Sequence, residues 1–190
     1  MLDEMQAEAT ALYADGEFVS ALAEFSVLAE IRARREGPYS PAYLDNLHDC
    51  VRCTYELNRW PDCAGLCTEL HGKYVRTHGR AESDTVDVAK KWAWALLNLH
   101  DYRSAVALYL QTADALWESD PITARRMLGA PAVYRDTVAP ADFAESLRHS
   151  HDLLAAIADL NIDGPTTLRL DTKGTDANPT LTVDGLASAS

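Results

Sequence analysis

Gly16-Glu-Phe-Val-Ser-Ala-Leu-Ala-Glu-Phe25 is the stretch that decides the fold, and Asp101-Tyr-Arg-Ser-Ala-Val-Ala-Leu-Tyr109 has the same pattern. In both, an aromatic residue is followed three residues later by Ala and four residues after that by a second aromatic residue. Spacings of three and four place side chains on one face of a helix and not on one face of a strand. Both stretches are therefore predicted to begin amphipathic helices.

The chain on either side of these stretches repeats with a period of 42 residues. Phe18, Trp60 and Tyr102 stand 42 residues apart, and so do Gly37 and Gly79. Just before each aromatic residue, one helical pattern ends and another begins, at Gly16, Asn58 and His100. Gly and Asn tolerate the positive φ that ends many helices, whereas His does so less readily. Each unit is predicted to be a helix, a tight turn and a second helix.

Helix periodicity and breaking residues give the expected helix bounds. The first helices of the units are predicted at about Leu2 to Ala14, Pro41 to Leu57 and Ser83 to Leu99. The second helices are predicted at about Glu17 to Glu36, Pro61 to His78 and Tyr102 to Ser119.

The predicted organisation is three repeats, a degenerate fourth unit and a tail. The repeats cover about 2–40, 41–82 and 83–120, and the period fails after Asp120-Pro121. In 121–161, one long helix over Ala141 to Leu160 is expected to cap the stack, with Phe143, Leu147, Leu154 and Ile157 as its apolar stripe. Gly, Pro, Thr and Ser enrichment predicts a flexible tail over 162–190, in which Thr180 to Val183 could pair as a strand.

Composition excludes several classes of function. The chain has 190 residues, 17 Lys plus Arg and 29 Asp plus Glu, and a formal net charge of −12. A negative field repels phosphate backbones and anionic lipids, so we expect no nucleic-acid and no membrane partner. The acidic N-terminus lacks the regions of a signal peptide, and no apolar run is long enough to span a bilayer. The expected location is the cytoplasm.

The motif Gly-Glu-Phe-x-x-Ala-x-x-x-Phe of Gly16 to Phe25, with its counterpart at Asp101 to Tyr109, resembles the tetratricopeptide repeat (TPR). The 42-residue spacing resembles the kinesin-light-chain variety, which is widespread in bacterial regulatory proteins, over roughly Leu2 to Asp120. The resemblance implies an all-α fold, a right-handed α-α superhelix. It also implies a scaffold that binds a peptide, a protein or, less often, a small effector.

In this family the first helix of each unit lines the concave groove. Tyr and Trp bury much area at low entropic cost, and cationic groups can hold a carboxylate or backbone carbonyls. The alternative is that these residues pair along their helices, complement helix N-termini or pack against neighbouring repeats. The candidate groove residues are Tyr13, Asp45, His48, Arg52, Tyr55, Asp87, Lys90, Trp94 and Asn98.

A cluster of soft ligands offers a second candidate site. Cys50, Cys53, Cys63, Cys67 and His71 fall on two consecutive predicted helices at spacings of three and four, so a thiolate-rich zinc or copper site is conceivable. Cys63 and Cys67 also occupy positions where the repeat places core residues, and burial as small apolar groups is the favoured interpretation. Two further histidines, His149 and His151, point to different helix faces and are expected to be exposed.

The favoured function is a non-catalytic regulatory adaptor that binds a peptide or protein segment in the groove. No phosphate loop, nucleophile elbow or His-Glu-x-x-His motif occurs, so no cofactor and no catalytic residue is expected. One alternative is a small-molecule-binding, accessory or catalytic protein of a bacterial metabolic pathway that uses the same helical pocket. Another is self-association into a homodimer through uncapped repeat edges.

Overall fold

The computed structural model describes residues 1–160, 168–170 and 181–183. The bounds of the first six helices are α1 (Leu2–Ala14), α2 (Phe18–Glu36), α3 (Pro41–Glu56), α4 (Trp60–Thr77), α5 (Ser83–Asn98) and α6 (Tyr102–Leu116). Four shorter helices follow: α7 (Pro121–Met127), α8 (Gly129–Val133), α9 (Ala141–Ala144) and α10 (Ser150–Asp159). Two strands, β1 (Leu168–Leu170) and β2 (Leu181–Val183), pair antiparallel with Leu168 opposite Val183.

The predicted helical repeat is confirmed. The ends of α1 to α6 lie within three residues of the predicted bounds. Gly16, Asn58 and His100 adopt φ values of 80°, 54° and 61° at equivalent turns. His100 thus takes a left-handed backbone conformation that residues other than Gly and Asn seldom adopt, because its position in the turn requires it.

The chain divides into two compact units, and the first covers Met1–Leu99. Within it, each of α1 to α4 packs against the next helix, and α3 also packs against α5. One apolar cluster, which includes Phe25 and Leu28, lies between the first repeat and α3. A second, which includes Leu44, Leu70 and Tyr74, joins α3, α4 and α5.

The second unit, His100–Ser190, is built around α6. Helices α7 to α10 each contact α6, and β2 lies against α7 and α8. The prediction of one helix over Ala141 to Leu160 was wrong, because residues 145–149 separate α9 from α10. In this break, the backbone N–H of His149 donates to Asp114 Oδ1 at 2.8 Å. A contact with a residue 35 positions earlier competes there with local helix propensity.

The buried side of α10 also differs from the prediction. Leu153 is fully buried and Leu154 only partly, while Ile157 is buried as expected. Leu181–Val183 forms β2 inside the segment that we expected to pair as a strand, and its partner β1 also lies in the predicted flexible tail. The other residues of that tail lie outside the described residues. None of the helices in the described part of the chain is long and apolar enough to cross a membrane.

Candidate functional site

A buried polar network lies where α3, α4 and α5 meet. The side chain of His48 is 4% exposed, and its Nε2 lies 2.8 Å from Asp87 Oδ2. Its Nδ1 lies 3.2 Å from the hydroxyl oxygen of Tyr74. Two of the candidate groove residues, His48 and Asp87, are therefore brought together, and they join consecutive first helices.

The chemistry of these groups decides which atom donates each hydrogen bond of the network. An ionised carboxylate only accepts hydrogen bonds, so His48 donates from Nε2 to Asp87. In a neutral ring Nδ1 is then an acceptor, and the Tyr74 hydroxyl donates to it. The tautomer follows from the partners, and both ring nitrogens are satisfied with no ligand.

Lys91 completes the network. Its Nζ donates to both carboxylate oxygens of Asp87 at 2.6 Å, and its side chain is only 7% exposed. Burial raises the pKa of Asp87, but hydrogen bonds from His48 and Lys91 and the Lys91 charge outweigh burial and hold that pKa far below its usual range. The lysine also lies 5.8 Å from the ring centroid of Tyr55. Asp87 and Lys91 thus form a buried ion pair.

The two candidate tyrosines pack within their own repeats. Tyr13 meets Phe18 edge-on with ring centroids 5.2 Å apart, and Tyr55 meets Trp60 in the same way at 5.7 Å. Each pair joins the end of a first helix to the aromatic residue that follows the turn. Both tyrosines are half-buried, and burial followed by the nearby charge of Glu56 raises the pKa of Tyr13 to about 12.

The remaining candidates lie at the surface of α3 and α5. Asp45 and Asn98 are exposed, whereas Lys90 and Trp94 are half-buried. Arg52 is 44% exposed and lies 3.2 Å from Asp49 Oδ1. Asn98 donates its side-chain amide to the Trp94 carbonyl at 2.9 Å. We call the outward surface of α1, α3 and α5 the first-helix face.

Three residues of this region were missed by sequence reasoning. Lys91 stands four residues after Asp87, the spacing of an ion pair along a helix, so this partner could have been found. Asp49 stands three residues before Arg52 and carries the same signal. No sequence signal identifies Tyr74, because the equivalent positions of the other repeats hold Arg32 and Leu116, and neither side chain carries a hydroxyl.

The candidate metal ligands are separated in the core. All four cysteines are buried free thiols; Cys50 and Cys53 belong to the first apolar cluster, and Cys63 and Cys67 to the second. The sulfurs of Cys63 and Cys67 lie 4.0 Å apart, and the His71 ring packs on Trp92. Across residues 1–160 and the two strands, no three His, Cys, Asp or Glu side chains are grouped so that they could hold a metal ion.

A cleft of about 500 Å³ lies in the second unit, beside Trp117. The Arg125 guanidinium lies 5.5 Å from the centroid of the Trp117 ring, and the ring of His149 stacks against the same indole. The expected exposure of His149 was wrong: its side chain is 19% exposed and bonds to Asp114, whereas that of His151 is 95% exposed. The other residues that line the cleft are Leu128, Asp152, Ala155, Ala156, Asp159 and Leu160.

Comparison with known proteins identifies the fold. No family model matches the chain, and no curated protein matches it. Two crystal structures of a kinesin light chain with nearly identical TPR-like repeats, from Podosopora anserina, are 14% identical to it. They cover 82% and 86% of this chain and 72% and 79% of their own, with TM-scores of 0.60 and 0.59.

A further solved structure, that of BtubC (BKLC) from P. vanneervenii, is 13% identical, covers 89% of this chain and 69% of its own, and has a TM-score of 0.61. At such low identity the likeness shows the fold and not the activity. The chain therefore has a TPR-like helical repeat fold of the kind found in kinesin light chains, as the sequence resemblance implied.

Proposed function

We propose that this chain is a non-catalytic adaptor whose first-helix face binds an extended segment of another polypeptide. The TPR-like fold supports an interaction scaffold, since stacked helical repeats present long surfaces to partners. Four free thiols are consistent with a reducing compartment, and we place the protein in the cytoplasm, in a regulatory role.

The proposal rests on one observation: the side chains of Arg52 and Trp94 on the first-helix face are not fully buried in the core. His48 and Asp87 join the repeats, and Tyr13 and Tyr55 pack against turn aromatics. Trp94 remains half-buried and Arg52 largely accessible. Tryptophan and arginine are the residues most enriched where binding energy concentrates at interfaces.

Peptides selected by display on the full chain would test this function. We expect Trp94→Ala or Arg52→Ala to weaken a selected peptide at least about 30-fold, the equivalent of about 2 kcal/mol for a dominant interface residue. Isothermal titration calorimetry gives the affinity, and circular dichroism checks that each variant remains folded.

Arg34→Ala is the matched control. Arg34 is an exposed arginine on α2 that pairs with Glu30 one turn away, much as Arg52 pairs with Asp49. We expect it to bind like the parent. If the Arg52→Ala and Arg34→Ala variants bind equally well, the first-helix face is not the binding surface. Because Arg52 is at the surface, its substitution should leave the fold intact, so this comparison can still be made if Trp94→Ala unfolds.

The cleft beside Trp117 supports a second candidate function, the binding of a small molecule. Its volume of about 500 Å³ falls within the range of ligand pockets, and its lining combines an indole, a guanidinium and two carboxylates with apolar side chains. Native mass spectrometry of freshly purified protein, compared with the denatured mass, tests this function. An organic adduct that Trp117→Ala removes would favour it, and an adduct that remains would place the ligand elsewhere.

A further inference from the structure

The charges of the first unit are divided unevenly between the first and second helices of its repeats. Helices α2 and α4 carry as many basic as acidic residues: Glu24, Glu30, Glu36, Asp62 and Glu69 against Arg32, Arg34, Arg35, Lys73 and Arg76. Helices α1, α3 and α5 carry eight acidic residues but three basic ones: Asp3, Glu4, Glu8, Asp45, Asp49, Glu56, Asp84 and Asp87 against Arg52, Lys90 and Lys91. The net negative charge of these five helices lies entirely on the first helices.

Two cations of the first helices lie beside carboxylates. Lys91 is buried against Asp87, and Arg52 is paired with Asp49. The carboxylates of Asp45, Glu56 and Asp84, in contrast, belong to exposed residues. The accessible charge of the first-helix face is therefore predominantly negative.

Two of these carboxylates, Asp45 and Asp84, act on the seam between α3 and α5. Burial, followed by the charges of Asp84 and Asp45, raises the pKa of the Tyr74 hydroxyl, which bonds to His48 in that seam. Asp45 belongs to α3 and Asp84 to α5, yet both act on the same hydroxyl. Carboxylates from two repeats thus act on one buried network, and the Arg52 charge opposes them in part.

We infer that the first-helix face binds a polypeptide segment of net positive charge. Its Lys or Arg side chains pair with Asp45, Asp84 and Glu56, its backbone carbonyls accept hydrogen bonds from Arg52, and an apolar or planar side chain packs on Trp94. The inference rests on the proposed function and specifies the chemistry of the partner. Complementary charge steers encounter, disfavours acidic competitors and sets the register of the bound segment.

Three fluorescent peptides of equal length test the charge preference on the full chain. All contain one Trp at the centre, and their remaining residues are mainly Lys and Arg, Ser and Gln, or Glu and Asp. Fluorescence anisotropy measures each Kd at low salt and at about 0.15 M salt, where the Debye length is about 8 Å. We expect the basic peptide to bind most tightly and to weaken as salt rises.

Paired substitutions separate a specific surface from the general attraction of an acidic protein. Asp45→Asn with Asp84→Asn removes two charges from the first-helix face, and we expect it to weaken the basic peptide about 3- to 30-fold. The matched control, Glu17→Gln with Glu36→Gln, removes two charges from exposed residues at the ends of α2. We expect this control to change the Kd by less than about twofold, as exposed charges far from a partner contribute little.

The outcomes separate the inference from the function on which it rests. If the neutral or acidic peptide binds as tightly as the basic one and Arg52→Ala weakens it, the inference is overturned and the binding surface stands. Equal losses in the two double variants would show attraction by net charge alone and would also overturn the inference. If no peptide responds to Arg52→Ala or Trp94→Ala, both the inference and the proposed function are wrong.

Discussion

At the scale of single residues, the network of His48, Asp87 and Lys91 places charged side chains where little water reaches them. Removing two charges from water costs several kcal/mol per ion, and only close, well-directed bonds offset that cost. Asp87 satisfies this condition, since it accepts from Lys91 at 2.6 Å through both oxygens and from His48 at 2.8 Å. The network therefore joins α3 to α5 through polar bonds, in addition to the apolar cluster of the same helices.

Loss of the Asp87 charge should therefore destabilise the protein strongly. We expect Asp87→Asn to lower the free energy of unfolding by about 3 kcal/mol, because it leaves the Lys91 ammonium buried without a counter-charge. Urea denaturation at neutral pH measures the change. Asp45→Asn, an exposed substitution on α3, is the control and should change stability by less than about 0.5 kcal/mol. Equal effects of the two substitutions would contradict the assignment of a buried ion pair.

The same carboxylate predicts a pH dependence with a defined sign. The pKa of Asp87 is lower in the folded chain than its ordinary value of 3.8, so the folded state binds this proton less tightly than the unfolded state does. The stabilisation is thus fully present above about pH 4 and is lost as pH falls through the lower, folded-state pKa. The stability difference between the parent and Asp87→Asn, measured by urea denaturation, should shrink as the pH falls below about 4. A difference that grew on acidification would contradict this sign.

At the scale of elements, the turns between paired helices depend on left-handed residues. Gly16 donates its N–H to the Tyr13 carbonyl, and Glu17 donates to Leu12; Asn58 and Arg59 make the equivalent bonds to Tyr55 and Thr54. A positive φ at Gly16 and Asn58 lets the chain reverse while these carbonyls stay bonded. The turn then places Phe18 against Tyr13, so backbone geometry and aromatic packing act together.

Two glycine substitutions should have opposite effects on stability. Gly16→Ala should lower the free energy of unfolding by about 1 kcal/mol, because a Cβ is disfavoured at φ 80°. Gly65→Ala lies inside α4, where an added Cβ meets no atom within 4 Å, and should raise it by about 0.5 to 1 kcal/mol. Thermal denaturation followed by circular dichroism compares the two. A stabilising Gly16→Ala would show that this turn does not depend on its left-handed residue.

At the scale of the whole molecule, the two units differ in the length of their helices. In the first unit, α2 and α4 have 19 and 18 residues. In the second, α8 and α9 have five and four. Helices this short are not stable on their own and depend on tertiary contacts. The chain is therefore expected to open locally in the second unit before the first unit unfolds.

Hydrogen exchange followed by mass spectrometry tests this order. Amides of α3 and α4, whose Val51 and Leu70 are fully buried, should exchange only through global unfolding. Amides of α9 and of the first turn of α10 should exchange at least roughly tenfold faster, through local opening. Equal protection of α4 and α9 would contradict the expected order.

The sequence by itself determined helices α1 to α6, their turns and the repeat fold. These depend on local spacing, on left-handed turn residues and on a 42-residue period, all visible along the chain. The candidate site was only partly accessible, because periodicity identifies a helix face but not the neighbours that cover it. Of the predicted groove residues, Arg52 has an exposed side chain and Trp94 a half-buried one, and their role in binding stays a prediction.

Only the tertiary structure decided which of the predicted groove side chains are buried and which partners they bond to. Tyr74 and Asp87 lie 26 and 39 residues from His48, and only the packing of α3, α4 and α5 makes them its partners. A 35-residue separation likewise hides the bond from His149 to Asp114, which accompanies the break between α9 and α10. An unpaired polar group in the core is costly, so buried polar groups bond to the partners that the fold brings near. These partners do not recur at a fixed spacing, so periodicity in the sequence cannot reveal them.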